Sequence, residues 1–190
     1  MKKITLGAQT ILYPMPAFLI GANVEGKANF MTAAWSGIAN SNPPMVTVAI
    51  QPSRYTYKGI KENSTFSINV PSEELVKAAD YCGIVSGAGK DKAADCGFSV
   101  FYGRLKTAPL IEQCPVNLEC KVVHTLNLGS HYLIVGQVEE TYVSEDCTSE
   151  GQPDVGKVKP IVFTVGAEKR YYGIGEPLAK AFSAGKELKK

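Results

Sequence analysis

The chain has 190 residues, 45% hydrophobic and 20% charged, and its 20 Lys plus Arg against 18 Asp plus Glu leave a net charge of +2. That length fits one globular domain, residues 1–190, with a core that needs no disulfide or metal staple. The balance excludes a disordered chain and a dedicated basic nucleic-acid binder.

Taken in chain order, strands are predicted at 17–24 and 29–38 around the turn Glu25-Gly26-Lys27, and at 45–51 after the turn Asn40 to Pro44. Ser53 is placed to cap a helix running to Asn63. Phe66, Ile68 and Val70 then alternate with Thr65, Ser67 and Asn69, which is a strand period. Ser72 is placed to cap a second helix through about Gly83, with Leu75, Ala79 and Cys82 on its buried face. Further strands are predicted at 98–102, at 116–122 by alternation, and at 131–143 after the turn Gly129-Ser130. Residues 148–159 read as an exposed loop, 161–166 and 170–174 as strands. A last helix is predicted from Pro177 to Lys189, with Lys186, Lys189 and Lys190 forming its solvated end. The class is mainly β with a few helices, and the long ribbon around Gly129 favours a closed barrel over an open sheet.

The apolar stretches are strand-sized, far short of the roughly 20 residues of a spanning helix. Five cysteines with no C-x-x-C pair argue against a disulfide framework and for a reducing cytoplasm. Cys82 and Cys120 fall on apolar faces; Cys114 and Cys147 are expected to be exposed, with carboxylates beside Cys147 raising its pKa. His124 and His131 flank the Gly129 turn at a separation of roughly 13 Å, too far to share a metal.

The familiar phosphate motifs fail. Ser86-Gly-Ala-Gly-Lys-Asp-Lys92 has Asp91 where a P-loop needs Ser or Thr, and no G-x-G-x-x-G opens a βαβ unit. No catalytic triad or zinc motif is present. An anion site survives at Ser53-Arg54-Tyr55-Thr56. There a strand leads into a helix whose free N–H groups, two hydroxyls and one guanidinium suit a phosphate monoester, or else serve only as a cap and a surface charge. Asn29-Phe-Met-Thr-Ala-Ala-Trp35 is strand-like and rich in small residues. It is either a core strand anchored by Trp35 or a place where a flat ring reaches the backbone.

These segments, followed by Asn42-Pro-Pro-Met-Val-Thr-Val-Ala-Ile50, Asn63 to Pro71, Ser86-Gly87 with Asp91-Lys92, and Tyr171-Tyr-Gly-Ile-Gly175, resemble the flavin reductase-like, FMN-binding split-barrel family, and within it the flavoredoxin type. The resemblance runs from about residue 10 to 185 and rests on the order and spacing of the segments. Ala93 departs from it, standing where the family usually has an aromatic residue. The resemblance implies a six-stranded Greek-key split β-barrel that forms a homodimer and holds FMN noncovalently. Thr32, Ala33, Ala34 and Trp35 would then line the isoalloxazine, with Asn29 of the same segment also a cofactor-binding candidate; Ser53, Arg54 and Thr56 would hold the phosphate, with Lys92 neutralising its second charge and Ser86 and Gly87 close by. It further implies electron transfer through FMN between a reduced donor and a protein or small-molecule acceptor, or alternatively NAD(P)H-dependent reduction of free flavin. No catalytic side chain, metal, nucleic acid or membrane partner is implied.

Overall fold

A computed structural model describes residues 1–166 and 168–188, the side chain of Glu187 excepted. The expected roles of Lys189 and Lys190 lie outside the described residues. In chain order the elements are β1 (Met15–Pro16), β2 (Phe18–Val24), β3 (Lys27–Ala33), β4 (Ser36–Ser41), β5 (Pro44–Ile50), α1 (Tyr55–Asn63) and β6 (Thr65–Val70). A 3-10 turn (Glu73–Leu75), α2 (Val76–Ile84), α3 (Lys92–Asp95), β7 (Val100–Phe101), β8 (Leu110–Ile111), β9 (Val116–Asn127) and β10 (Tyr132–Val143) follow. The chain continues through a 3-10 turn (Glu145–Cys147), β11 (Thr148–Ser149), β12 (Gln152–Pro153), α4 (Val155–Val158), β13 (Ile161–Thr164), β14 (Arg170–Gly173) and a 3-10 turn (Ala184–Leu188).

The main sheet has seven strands in the order β3-β2-β6-β9-β10-β5-β4, antiparallel at every ladder. Its two outer strands are consecutive in the chain: β3 runs into β4 through Ala34 and Trp35. One predicted strand, 29–38, is therefore two, and the bend between them carries the chain from one edge of the sheet to the other. At the bend the Trp35 carbonyl still accepts from Ala49 N–H at 2.8 Å. The sheet has seven strands where six were expected, because one strand is broken at Ala34–Trp35, and its edge strands β3 and β4 form no ladder with each other, so it is not the closed barrel expected.

The interior follows from alternation. Val46, Val48 and Ile50 of β5 point inward with Ile20, Met31, Phe66, Ile68 and Ile134, and α1 adds Ile60. Helix α1 crosses β2 closely at Gly59, where a Cβ would lie 2.1 Å from the Asn23 carbonyl oxygen. That contact fixes where the N-terminus of α1 points. The polar alternates of β6 and β9 are not solvated: Ser67, Asn69 and Glu119 are fully buried and Asn117 nearly so. They supply hydrogen bonds to the irregular segment between β7 and β9, whose backbone has few partners of its own. Asn69 Oδ1 accepts from Ile111 N–H at 3.0 Å, and Glu119 accepts from the N–H groups of Arg104 and Leu105, both at 2.8 Å.

Several expectations are corrected. Arg54, not Ser53, is the N-cap residue of α1, with no side-chain cap bond. Ser72 makes no side-chain cap either; a 3-10 turn precedes α2, which still buries Ala79 and Cys82. Strand 98–102 shrinks to Val100–Phe101. The loop 148–159 contains a short hairpin and α4, which Asp154 caps by accepting from Gly156 N–H. The long C-terminal helix is replaced by the short 3-10 turn, and Leu178 and Phe182 in the segment before it are fully exposed. Cys114 is buried rather than exposed, in an apolar cluster with Phe30, Cys82 and Ile111. No helix among the described residues is long and apolar enough to cross a membrane.

Candidate functional site

Two helix ends meet beside β3. The N-terminus of α1 offers backbone N–H groups that no carbonyl of the helix can satisfy. The C-terminus of α2 offers carbonyls, and two cations converge on them. Lys92 Nζ donates to the Cys82 carbonyl at 3.3 Å and to the Val85 carbonyl at 3.1 Å. Arg54 Nη1 donates to the Gly83 carbonyl at 3.3 Å. The negative end of one helix thus holds two positive groups in front of the positive end of another.

Between these parts lies a cavity of about 330 Å³ lined by Ser53, Arg54, Tyr55, Thr56, Ser86, Gly87 and Lys92, with Met31, Gln51, Cys82 and Val85. It has no carboxylate in its wall. Lys92 is 3% exposed, and among the described residues no carboxylate lies within 4 Å of it. Burial pulls its pKa down, and the nearby Arg54 guanidinium pulls the same way against the opposing pull of Cys82. A buried ammonium facing a carboxylate-free cavity favours an anionic ligand there. The same burial pushes the Cys82 thiol up to about 12, so it is no thiolate.

The Gly-rich segment closes the cavity from outside. A Cβ on Gly87 would stand 1.9 Å from Asn29 Oδ1 and 3.0 Å from Tyr55 Cδ1, so only glycine lets the loop lie this close. Ser86 is exposed and its Oγ accepts from Ala88 N–H at 3.3 Å. Asn29 is set one layer back. It is buried, donates through Nδ2 to Thr56 Oγ1 at 2.6 Å, and borders a separate polar cavity of about 370 Å³ rather than the donor-lined one.

A slot of about 140 Å³ adjoins the anion cavity, sharing Met31, Gln51 and Arg54 with it. Thr32, Ala33, Ala34 and Trp35 line it, opposite Ala49, Ile50 and His131. Thr32 spends its hydroxyl on the Ala79 carbonyl of α2, so it presents backbone rather than a free donor. Trp35 is 41% exposed, and its ring packs on His131 with centroids 4.6 Å apart. Beyond Trp35 lies a mainly apolar cavity of about 610 Å³, bordered by Ile11, Leu12, Met15 and Leu133 and without a charged side chain in its wall.

Nine of the ten predicted residues therefore face one continuous pair of cavities, and Asn29 stands behind them. Sequence reading gave no site role to Gln51, Tyr55 or His131, which line the two cavities. Gln51 is visible only as the residue that ends the alternation of β5. His131 was signalled by its place just after the Gly129-Ser130 turn, which brings it opposite Leu128, whose N–H donates to the His131 carbonyl at 3.0 Å. The five cysteines are free, and burial together with Asp146 raises the pKa of Cys147. No group of His, Cys, Asp and Glu able to hold a metal gathers among the described residues.

Residues 10–167 match the model of the flavin reductase like domain. Among solved structures, the chain is similar to flavoredoxin from Methanosarcina acetivorans, with 44% identity and a TM-score of 0.94 over 99% of this chain and 100% of that one. Flavoredoxin of Desulfovibrio vulgaris (Miyazaki F) is 41% identical, with a TM-score of 0.91 over 98% of this chain and 100% of that one. An uncharacterized protein of Archaeoglobus fulgidus is 37% identical over 144 residues, covering 76% of this chain and 80% of its own.

Proposed function

The chain belongs to the flavin reductase-like domain family, and from that premise we propose that it is a flavoredoxin-like flavoprotein passing electrons through noncovalently bound FMN. The observation that carries this reading is the buried Lys92 ammonium, which faces a carboxylate-free cavity beside a slot walled by small residues and Trp35. The residues present fit the cofactor. Ser53, Arg54, Thr56 and Lys92, with the first N–H groups of α1, hold its phosphate; Ser86 and Gly87 close over it. Thr32, Ala33, Ala34 and Trp35 offer backbone and ring contacts to the flat end.

Bound FMN supplies reversible one- and two-electron chemistry. This chain's residues bind, orient and tune. Arg54 borders both cavities, so its charge acts on the phosphate end and on the edge of the ring slot. Positive charge there stabilises an anionic reduced ring. His131 and Trp35 flank the slot and pack against each other at a tilt of 33°. No side-chain acid or base needs to move a proton for electron transfer. The acceptor is a protein or small molecule, and the protein works in a reducing compartment, the cytoplasm, where its five thiols stay free.

A second copy of the chain completes the unit. Ile11, Leu12, Tyr13, Trp35 and Ile38 are all more than two-fifths exposed, apolar surface that a homodimer would cover.

Carrier and reductase separate in one assay. Oxidation of NADH and NADPH is followed with and without added free flavin. The carrier reading expects turnover with neither nucleotide unless a partner protein is supplied; rapid turnover that requires free flavin would establish the reductase instead.

A further inference from the structure

Asn29 and Thr56 are buried together, at 5% and 1% exposure, and joined by one hydrogen bond of 2.6 Å. The direction of that bond has a consequence. Asn29 Nδ2 donates, so Thr56 Oγ1 accepts, and among the described residues the hydroxyl has no acceptor for its own proton. Thr56 lines the anion cavity. Its proton is therefore available there, beside the Ser53 hydroxyl, the Arg54 guanidinium, the Lys92 ammonium and the free N–H groups of α1. A hydroxyl turned the other way would present lone pairs to an anion.

We propose that Asn29 is a positioning residue that holds Thr56 as a donor, adding its proton to the donors of Arg54, Lys92 and α1, so that the cavity selects a terminal phosphate monoester over a diester or an unphosphorylated flavin. The inference rests on the flavin-binding reading above and deepens it. A monoester at neutral pH brings three unesterified oxygens and close to two negative charges. These match the donors of Thr56, Arg54, Lys92 and α1 that face the cavity. A diester has two such oxygens and one charge, and leaves buried donors unpaired, which costs more than the missing bond itself. Riboflavin leaves every donor unpaired. Gly87 makes room for this pair: the loop lies so close to Asn29 that a Cβ there would stand 1.9 Å from Oδ1.

The test uses the full chain freed of flavin and titrated with FMN, riboflavin and FAD, following the quenching of flavin fluorescence. The wild type should bind FMN at least about tenfold more tightly than either of the others. Asn29→Asp replaces the donor by an acceptor, reverses the bond and turns the Thr56 proton away from the cavity. It should weaken FMN by about tenfold or more and leave riboflavin within about twofold. Asn29→Leu, of similar size and uncharged, should give the same pattern with a smaller loss. Thr56→Val should match Asn29→Asp, Thr56→Ser should restore near wild-type binding, and Asn29→Leu combined with Thr56→Val should be no weaker than Thr56→Val alone. Equal losses for FMN and riboflavin, additive losses in the double variant, or equal wild-type affinity for FMN and FAD would overturn the inference. A chain that binds no flavin at all would instead overturn the functional reading on which it rests.

Discussion

Lys92 Nζ donates to the Val85 carbonyl at 3.1 Å, so a buried ammonium closes the end of helix α2 where a carboxylate partner would be expected. Two carbonyls orient the group without neutralising it. Its charge is left for whatever enters the cavity, and the first predictions follow from that.

Lys92→Met keeps the length of the side chain and removes the charge. FMN binding should weaken by about 2 kcal/mol, the scale of a hydrogen bond to a charged group, while riboflavin binding should change little. Arg54→Ala should act in the same direction, because Arg54 also faces the cavity. Isothermal titration with the two flavins checks both variants; equal losses for FMN and riboflavin would contradict the phosphate assignment.

The same lysine predicts a pH dependence. Burial lowers its folded-state pKa below the ordinary 10.5, so the unfolded chain binds this proton more tightly than the folded one. The resulting penalty is fully present below the lowered value and fades as pH rises towards 10.5. Flavin-free wild type should therefore gain stability relative to Lys92→Met as pH rises from neutral to alkaline. Bound FMN should remove the trend. Chemical denaturation of both proteins across that range is the measurement, and a constant difference between them would count against a buried, uncompensated ammonium.

Gly87→Ala places a methyl 1.9 Å from Asn29 Oδ1 and 3.0 Å from Tyr55 Cδ1. Either the loop 86–91 lifts or the Asn29 amide is displaced, at about 1–3 kcal/mol for an overpacked site. Thermal unfolding should show the loss, and FMN affinity should fall more than riboflavin affinity because the change reaches Thr56 through Asn29.

Trp35 is the only tryptophan and lines the ring slot. Its emission should be strongly quenched as FMN is added, in step with the recovery of flavin absorbance. Tryptophan emission that stays constant while flavin binds would place the ring elsewhere.

Glu119→Gln tests the buried polar layer away from the site. The carboxylate accepts from Arg104 N–H, Leu105 N–H and, at 3.0 Å, Tyr142 O–H. An amide turns at least one of these contacts into donor against donor, costing about 1–3 kcal/mol. The melting temperature should drop while the flavin bound per folded molecule stays the same.

Much of the fold is legible in the sequence because local rules and tertiary structure agree there. Strand β5 alternates and buries Val46, Val48 and Ile50, and Glu25-Gly26 turns β2 into β3 with both residues at positive φ. The departures have physical causes. Alternation in β6 and β9 signals one polar face, and polarity alone does not reveal that Ser67, Asn69, Asn117 and Glu119 are covered by a loop whose backbone they satisfy. Ser53 has the chemistry of a cap, yet the Arg54 N–H bonds to the Gln51 carbonyl at 3.0 Å, and the turn this makes starts the helix one residue later. In the site, the residues proposed to hold the phosphate were readable as a group because they lie in two short segments, 53–56 and 86–92, which line one cavity. Asn29 was grouped with the ring-lining strand, although its side chain reaches α1 instead. His131 was legible only as a turn neighbour, since its contact with Trp35 joins parts of the chain 96 positions apart, from 35 to 131.

The central claim is that the cavity pair holds FMN, and the visible absorption spectrum of the purified full chain tests it most directly. A yellow protein, or a colourless one that takes up FMN on titration, with a phosphorylated flavin released on denaturation, is the predicted result. A preparation that is colourless and remains so through an FMN titration would contradict it.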